Sequence, residues 1–392
     1  LIEPAIDAFK SALKIADDAA GRCQVWLYLA ACLRVVDRYD DALRFLALAE
    51  ETAAECKLSL QLAQVHHHRG NVYFPLGNID GCLAEHERAR KLARKLASPE
   101  TETNALSGLG DANYQRGHMI SAHGHFERCL QLARENGFGR IEVSNRHMLG
   151  LTRYYQNDLQ TALADCLAGA DGAARVGQQR AEMAARSSVG PVLLDLNDFA
   201  AAQKQSELGL ELAHRLGAQR FEPLCLASIA RIFAREDRRA DAARLLHKAF
   251  ELACESGVTF AGPWILGTLA LLSADPRERE NALRRGEELL RGNCLAHNYF
   301  WFYRDAMEVS LISEDWDRAD SYAASLENYT QAEPLPWTQF FIDRARTLAS
   351  LGRGAGVQCA FERLRPLHDE ARRAGFSAAL PAIEDALAER SS

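Results

Sequence analysis

Twelve histidines and ten cysteines are the residues of this chain best suited to metal or acid–base chemistry, and their spacing decides whether they can perform it. His66, His67 and His68 are consecutive, so on a helix they point in roughly three directions and cannot ligate one ion. His86, His118 and His123 are a nearer set, but His118 and His123 flank a turn, and the carboxylates nearby stand at no metal-binding spacing. No metal site is expected. None of the cysteines forms a CxxC pair, and Cys82, Cys129 and Cys166 occupy helix-packing positions; they read as buried cytosolic thiols, not as a disulfide framework. There is no GxxxxGK[ST] phosphate loop, no HExxH and no GxSxG elbow. The acidic pairs Asp17-Asp18, Asp40-Asp41 and Glu287-Glu288 stand where charges solvate a helix or favour its start. No catalytic residue and no cofactor are expected, and the chain is read as a non-enzyme.

Recognition remains, and it requires a wall. A small residue stands at Ala30, Gly70, Gly110, Gly150, Gly190, Ala230 and Ala270, forty positions apart, and a second follows each by twelve, at Ala42, Cys82, Ala122, Ala162, Ala202, Ala242 and Ala282. Seven small residues in register mark places where two helices cross closely, so the spacing predicts a stack of helix hairpins. Bulky residues at fixed offsets complete the pattern, as in Trp26, Leu29, Leu33 and Leu46, or Leu109, Phe126 and Cys129. This is similar to the tetratricopeptide pattern, stretched from 34 to about 40 residues. The expected fold is an all-α, right-handed superhelical solenoid of tetratricopeptide-like hairpins running through all 392 residues. Repeats are expected at 23–60, 61–100, 101–140, 141–180, 181–218, 219–258, 259–296, 297–332 and 333–376. A truncated second helix at 1–20 precedes them and a capping helix at 378–390 follows. The chain therefore starts partway through a repeat, with more polypeptide expected upstream.

Loops are expected at Asp37–Asp41, Leu76–Asp80, Tyr155–Asp158, Leu196–Asp198, Glu236–Arg239 and Asp275–Arg277. Helix stops or left-handed turns are expected at Gly137, Gly172, Gly177, Gly217 and Gly257. Pro263 suits a first helical turn, and Pro191, next to Gly190, implies a late helix start or a kink. Arg344, Arg353, Arg363, Arg365, Arg372 and Arg373 make the last units more cationic, a docking face or a charged cap.

In such a superhelix the first helix of each hairpin lines the concave wall. The residues expected to face a ligand or partner are His67, Asn71, Phe74, Ser107, Asp111, Tyr114, His147, Tyr154 and Arg231, with aromatic rings beside polar groups, as peptide-gripping surfaces use them. A clamp for a terminal carboxylate is argued against. It would need a lysine or arginine where His67 stands, and Asp111 would repel the ligand. The expected partner is a protein or peptide, with a small molecule as the other option. A net charge of −7 gives no general attraction to nucleic acid or anionic lipid. No run of about 18 apolar residues exists to span a membrane, and a cytoplasmic location is expected.

The segment Asn298-Tyr299-Phe300-Trp301-Phe302-Tyr303-Arg304-Asp305-Ala306, followed by Asp315–Ala319, Tyr329 and Ala332–Trp337, resembles the helical-repeat tails of large bacterial class III adenylate/guanylate cyclases that carry an AAA-type ATPase module. The resemblance implies a non-catalytic interaction and regulatory module of a larger cyclase or ATPase signalling protein, whose partners include its own upstream domains. Related tails also occur in ATPase-type transcription activators, which makes a small-molecule-sensing repeat domain the alternative. None of the cyclase or ATPase catalytic residues has a counterpart here.

Overall fold

The computed structural model describes residues 2–36 and 38–388; Leu1, Asp37 of the first expected loop, and residues 389 and 390 of the expected cap lie outside it. Among the described residues every regular element is helical, with no strand. The chain divides into two compact units. The first comprises the residues up to Arg116 together with Gly124–Glu142, and the second comprises Gly117–His123 together with the residues from Val143 onward. The first unit is built from α1 (Ile2–Leu13), α2 (Ala19–Val35), α3 (Tyr39–Glu55), α4 (Ser59–Tyr73), α5 (Ile79–Lys95), α6 (Pro99–Arg116) and most of α7 (Met119–Glu135). After α8 (Gly139–Tyr154), the second contains α9 (Leu159–Arg175), α10 (Gln179–Asp195), α11 (Phe199–Leu216), α12 (Glu222–Arg235), α13 (Arg239–Ser256) and α14 (Val258–Leu272). It ends with α15 (Pro276–Leu290), α16 (Ala296–Ile312), α17 (Trp316–Tyr329), α18 (Pro336–Gly352), α19 (Val357–Ala374) and α20 (Leu380–Ala388).

Each hairpin is written by a few local signals. Asn78, Asp158 and Asp198, at equivalent places in their repeats, accept the N–H groups of Gly81, Thr161 and Ala201 and so cap α5, α9 and α11. The chain passes through left-handed φ at Gly77, Gly117, Asn157, Asn197 and Asp237, and again at Lys57, Ala97, Gly137, Gly177, Gly217 and Gly257. Both series recur every forty residues, so one backbone reversal ends the first helix of a hairpin and another ends the second.

The small residues work as spacers. A Cβ at Gly110 would lie 2.6 Å from the Phe126 ring, one at Gly150 2.6 Å from Cys166 Sγ, and one at Gly190 2.7 Å from Ser206 Oγ. Each partner stands sixteen positions after its glycine, and Phe126 and Cys166 are fully buried. The second ladder is buried as well, from Ala42 through Cys82, Ala122, Ala162 and Ala202 to Ala242. All ten cysteines are free thiols.

Three local expectations are corrected. Gly172 does not end a helix but lies inside α9, its hydrogen pressed towards Val143. Pro191 neither delays nor ends α10, which begins twelve residues earlier at Gln179 and continues to Asp195. Pro263 is not in a first turn but is the sixth residue of α14.

Proline at that place deprives the Thr259 carbonyl of its helical donor. Two donors at the start of α16 replace it: Leu295 N donates to the Thr259 carbonyl at 3.2 Å, and the fully buried Asn298 donates through Nδ2 to the carbonyls of Thr259 and Phe260 at 3.0 Å each while its Oδ1 accepts from Trp264 N. Asn298→Ala should therefore lower stability by roughly 1 kcal/mol, the cost of losing hydrogen bonds at carbonyls that keep one other donor each, Leu295 N for Thr259 and His297 Nε2 for Phe260. Denaturant unfolding measures this, and an unchanged midpoint would show that Pro263 needs no such compensation.

Candidate functional site

In the first unit, α4 contacts both α2 and α6, so that the three form one layer, with α3 and α5 laid against it. His67 and Asn71 on α4, Phe74 just after it, and Ser107 and Asp111 on α6 are half-buried; Tyr114 is buried. His67 Nε2 lies 2.9 Å from Asn71 Nδ2, while its Nδ1 is buried without a partner. Beneath them sits His86 of α5, whose ring centroid is 5.3 Å from that of His67. His86 fits because Gly70 and Gly108 lack side chains; a Cβ on either would run into its imidazole.

Burial removes charge from this wall. It drives the His67 imidazole well below its ordinary range and lowers His68 and His86 to about 4, with the positive charge of Arg34 adding to the effect on His67 and His68. The same desolvation pushes the Asp111 carboxyl up to about 7, against the opposing pull of Arg34. Near neutral pH the wall therefore presents uncharged imidazoles and a carboxyl group poised between its two forms. Asp111 makes no hydrogen bond or ion pair with any described residue. His66 points elsewhere, its Nδ1 2.7 Å from Glu85 Oε2. Among the described residues no group of His, Cys, Asp or Glu is arranged to hold a metal ion, and no helix is long and apolar enough to cross a membrane.

In the second unit the corresponding side chains turn into a filled interior. Tyr154, 2% exposed, donates to Asp195 Oδ2 at 2.6 Å, and Arg304 grips Asp195 through two hydrogen bonds of 2.8 and 3.1 Å. Arg231 pairs with Asp305, which also accepts from Thr268 Oγ1 at 3.0 Å. His147 is buried. Trp301 stacks on Trp264 with centroids 4.7 Å apart and on Tyr154 at 6.1 Å, and the Arg304 guanidinium lies 4.7 Å from both the Trp301 and Phe341 rings. Ties beyond the aromatic cluster hold this arrangement. Trp337 N donates to the Tyr155 carbonyl, Asn157 Nδ2 to Glu370, and Ser377 N to the Asp195 carbonyl. Glu333 accepts from Ile120 N and Ser121 N at the start of α7.

Sequence reasoning missed Arg34, His68, Asp195 and the interior roles of Arg304 and Asp305. The one available signal for His86 was the pair of glycines, Gly70 and Gly108, that make room for it. The cationic end face is also revised: Arg344 is not on the surface but is 2% exposed and paired with Glu308, and Arg353 and Arg373 are paired with acidic neighbours.

A tetratricopeptide-repeat family model matches residues 61–135. No curated protein sequence matches the chain. Among solved structures, NprR in complex with its cognate peptide NprX matches with a TM-score of 0.65 and 15% identity, over 90% of this chain and 99% of that one. A Rap protein complexed with Competence and Sporulation Factor matches with a TM-score of 0.61 and 13% identity, over 94% and 99%. The apo form of the quorum sensor NprR from B. thuringiensis matches with a TM-score of 0.57 and 13% identity, over 91% and 99%. The fold is a tetratricopeptide-like solenoid. At such identities these likenesses speak for the fold.

They also overturn the resemblance to cyclase tails. Near-complete coverage of both chains falls on Rap and NprR structures, and the reading as a regulatory module of a larger cyclase or ATPase protein, with its transcription-activator alternative, falls with it. The residues that carried the resemblance have a packing reason to look distinctive. Asn298 repairs α14, Trp301, Arg304 and Asp305 fill the interior of the second unit, Glu333 caps α7, and Trp337 is fully buried.

Proposed function

We propose that this chain is a non-catalytic regulator that binds a peptide, or an extended segment of a protein, on the α2–α4–α6 wall of its first unit. The observation that carries the reading is the half-buried row of His67, Asn71, Phe74, Ser107 and Asp111, with Tyr114 behind it and with Asp111 unpaired. Such a row offers hydrogen-bonding groups that cost little to desolvate further, beside aromatic surface. The fold likeness to Rap and NprR structures that hold peptides supports the same reading. In the second unit Tyr154 and Arg231 are already engaged by Asp195 and Asp305, so the first unit is the one with recognition groups to spare.

Selection of a displayed random-peptide library on the immobilised chain tests the proposal, followed by calorimetry of the recovered peptides. Asn71→Ala should weaken the best of them about tenfold, the loss of a desolvated hydrogen bond. Failure to enrich any sequence, or equal binding by Asn71→Ala and by a surface control such as Lys204→Ala, would remove the proposal.

A further inference from the structure

Between α15 and α17 the second unit departs from its own period. The spacers Ala242 and Ala282 stand forty positions apart, but the next, Ala319, follows after 37. Here α16 lies directly along α14, where a Cβ on Gly267 would come within 3.1 Å of Phe302 Cα, while its backbone stands away from α15. The Phe302 ring fills part of that gap, lying against Gly286, and leaves beside it a cleft of about 260 Å³, walled by α15 and α17 with Tyr303 of α16 between them. Six of the seven lining residues carry a charge or a hydroxyl, and Leu290 is the single aliphatic one. The cleft is therefore suited to polar contacts and is not an unfilled piece of core.

Two opposite charges face it from one helix end. Glu287 and Arg291 are four residues apart with the acid first, the order in which such pairs bond to each other best, yet they are not joined here. Tyr322 donates to Glu287 Oε1 at 2.6 Å and is itself held by Arg318 Nε at 3.1 Å, which turns the carboxylate towards α17 and leaves its Oε2 without a hydrogen bond among the described residues. Arg318 is committed to Glu280. Arg291 is exposed, with neither ion pair nor hydrogen bond among the described residues. On the opposite wall Ser325 Oγ donates to the Ser321 carbonyl, so the Ser321 hydroxyl stays available. Burial, with Glu287 adding to it, raises Tyr303 above the usual phenol range and keeps its hydroxyl protonated.

We propose that this cleft binds a small zwitterion of the size and chemistry of a free α-amino acid with a polar side chain, its ammonium on Glu287 and its carboxylate on Arg291. An anion alone would meet Glu287, and a cation alone would meet Arg291 and Arg318; a ligand carrying both charges satisfies both ends through charge-assisted hydrogen bonds. The hydroxyls of Ser321 and Tyr303 are left for its side chain. A volume under the ~300 Å³ at which drug-sized sites begin excludes a folded peptide. The site uses other residues and another ligand than the first-unit wall, and stands whether or not a peptide binds there.

Titration of the free protein amino acids into the full chain tests this, by ligand-observed NMR and then by calorimetry of those that bind. One or more polar amino acids should bind below about 10 mM, and acetylation of the amine or amidation of the carboxylate should each weaken them about fivefold. Glu287→Gln, which keeps an acceptor for Tyr322, should remove the difference between free and acetylated amine, and Arg291→Met that between carboxylate and amide. Ser321→Trp, at an exposed position on the wall, should block binding while keeping the unfolding midpoint. No binding by any amino acid at that concentration, binding that survives Ser321→Trp, or equal affinity for uncharged glycerol or glucose would overturn the zwitterion site.

Discussion

Arg304→Met should cost the second unit roughly 3–5 kcal/mol of stability, the range for removing one partner of a buried ion pair. Asp195 is almost inaccessible, and without the guanidinium its carboxylate would keep a hydrogen bond from Tyr154 but no counter-charge. Proximity to Asp195 and Tyr154 raises the Arg304 guanidinium above its already high range even though burial opposes the charge, so it stays cationic at any working pH. Methionine would retain some bulk between Trp301 and Phe341 but lose the cation–aromatic contacts on both rings. The informative measurement is a double-mutant cycle with Asp195→Leu, read by denaturant unfolding. If both single variants lose several kcal/mol and the double variant recovers a large part, the penalty lies in the stranded charge. A single-variant loss below about 1 kcal/mol would mean that the pair contributes no more than a surface ion pair does.

Trp337→Ala should be comparably severe, roughly 3–5 kcal/mol, for a different reason. The indole is fully buried and touches five rings, those of Tyr154, Tyr155, Phe300, Trp301 and Phe341, at centroid distances from 4.6 to 6.2 Å. These rings come from α8, its following turn, α16 and α18, so the cavity left by alanine cannot close by moving one helix. Trp337→Phe, which fills much of the space, should lose markedly less. Equal losses for Ala and Phe would argue that the indole N–H, and not its volume, is what matters there.

How far the sequence could be read depended on whether a signal was local or recurrent. The small-residue ladder was legible because it repeats, and Gly110, Gly150 and Gly190 do meet the second helices of their hairpins. The tryptophans at 264, 301 and 337 were not read as a series, yet their rings stack or tilt together in the interior. The pairing of Asp195 with Arg304, 109 positions apart, was not legible. A charge on the first helix of a hairpin looks the same whether it faces solvent or a counter-ion from a distant repeat. Arg344 shows the same blindness: it sat among surface arginines in the sequence but is enclosed in the structure. On the candidate wall, the positions of His67, Asn71 and Asp111 followed from register, whereas the absence of a partner for Asp111 required coordinates.

Open repeat stacks unravel from their ends, one hairpin at a time, since each leans only on its neighbours. Within the second unit the Asn157–Glu370 bond joins residues 213 positions apart, and Ser377 N is tied to the Asp195 carbonyl. Loosening α19 there breaks contacts with the turns after α8 and α10, so fraying from that side should be more cooperative than in an untied stack. Assembly must in turn wait for distant stretches of chain to meet, which slows it relative to an untied stack. Such a body trades the springiness of a repeat array for resistance to being opened from its tail.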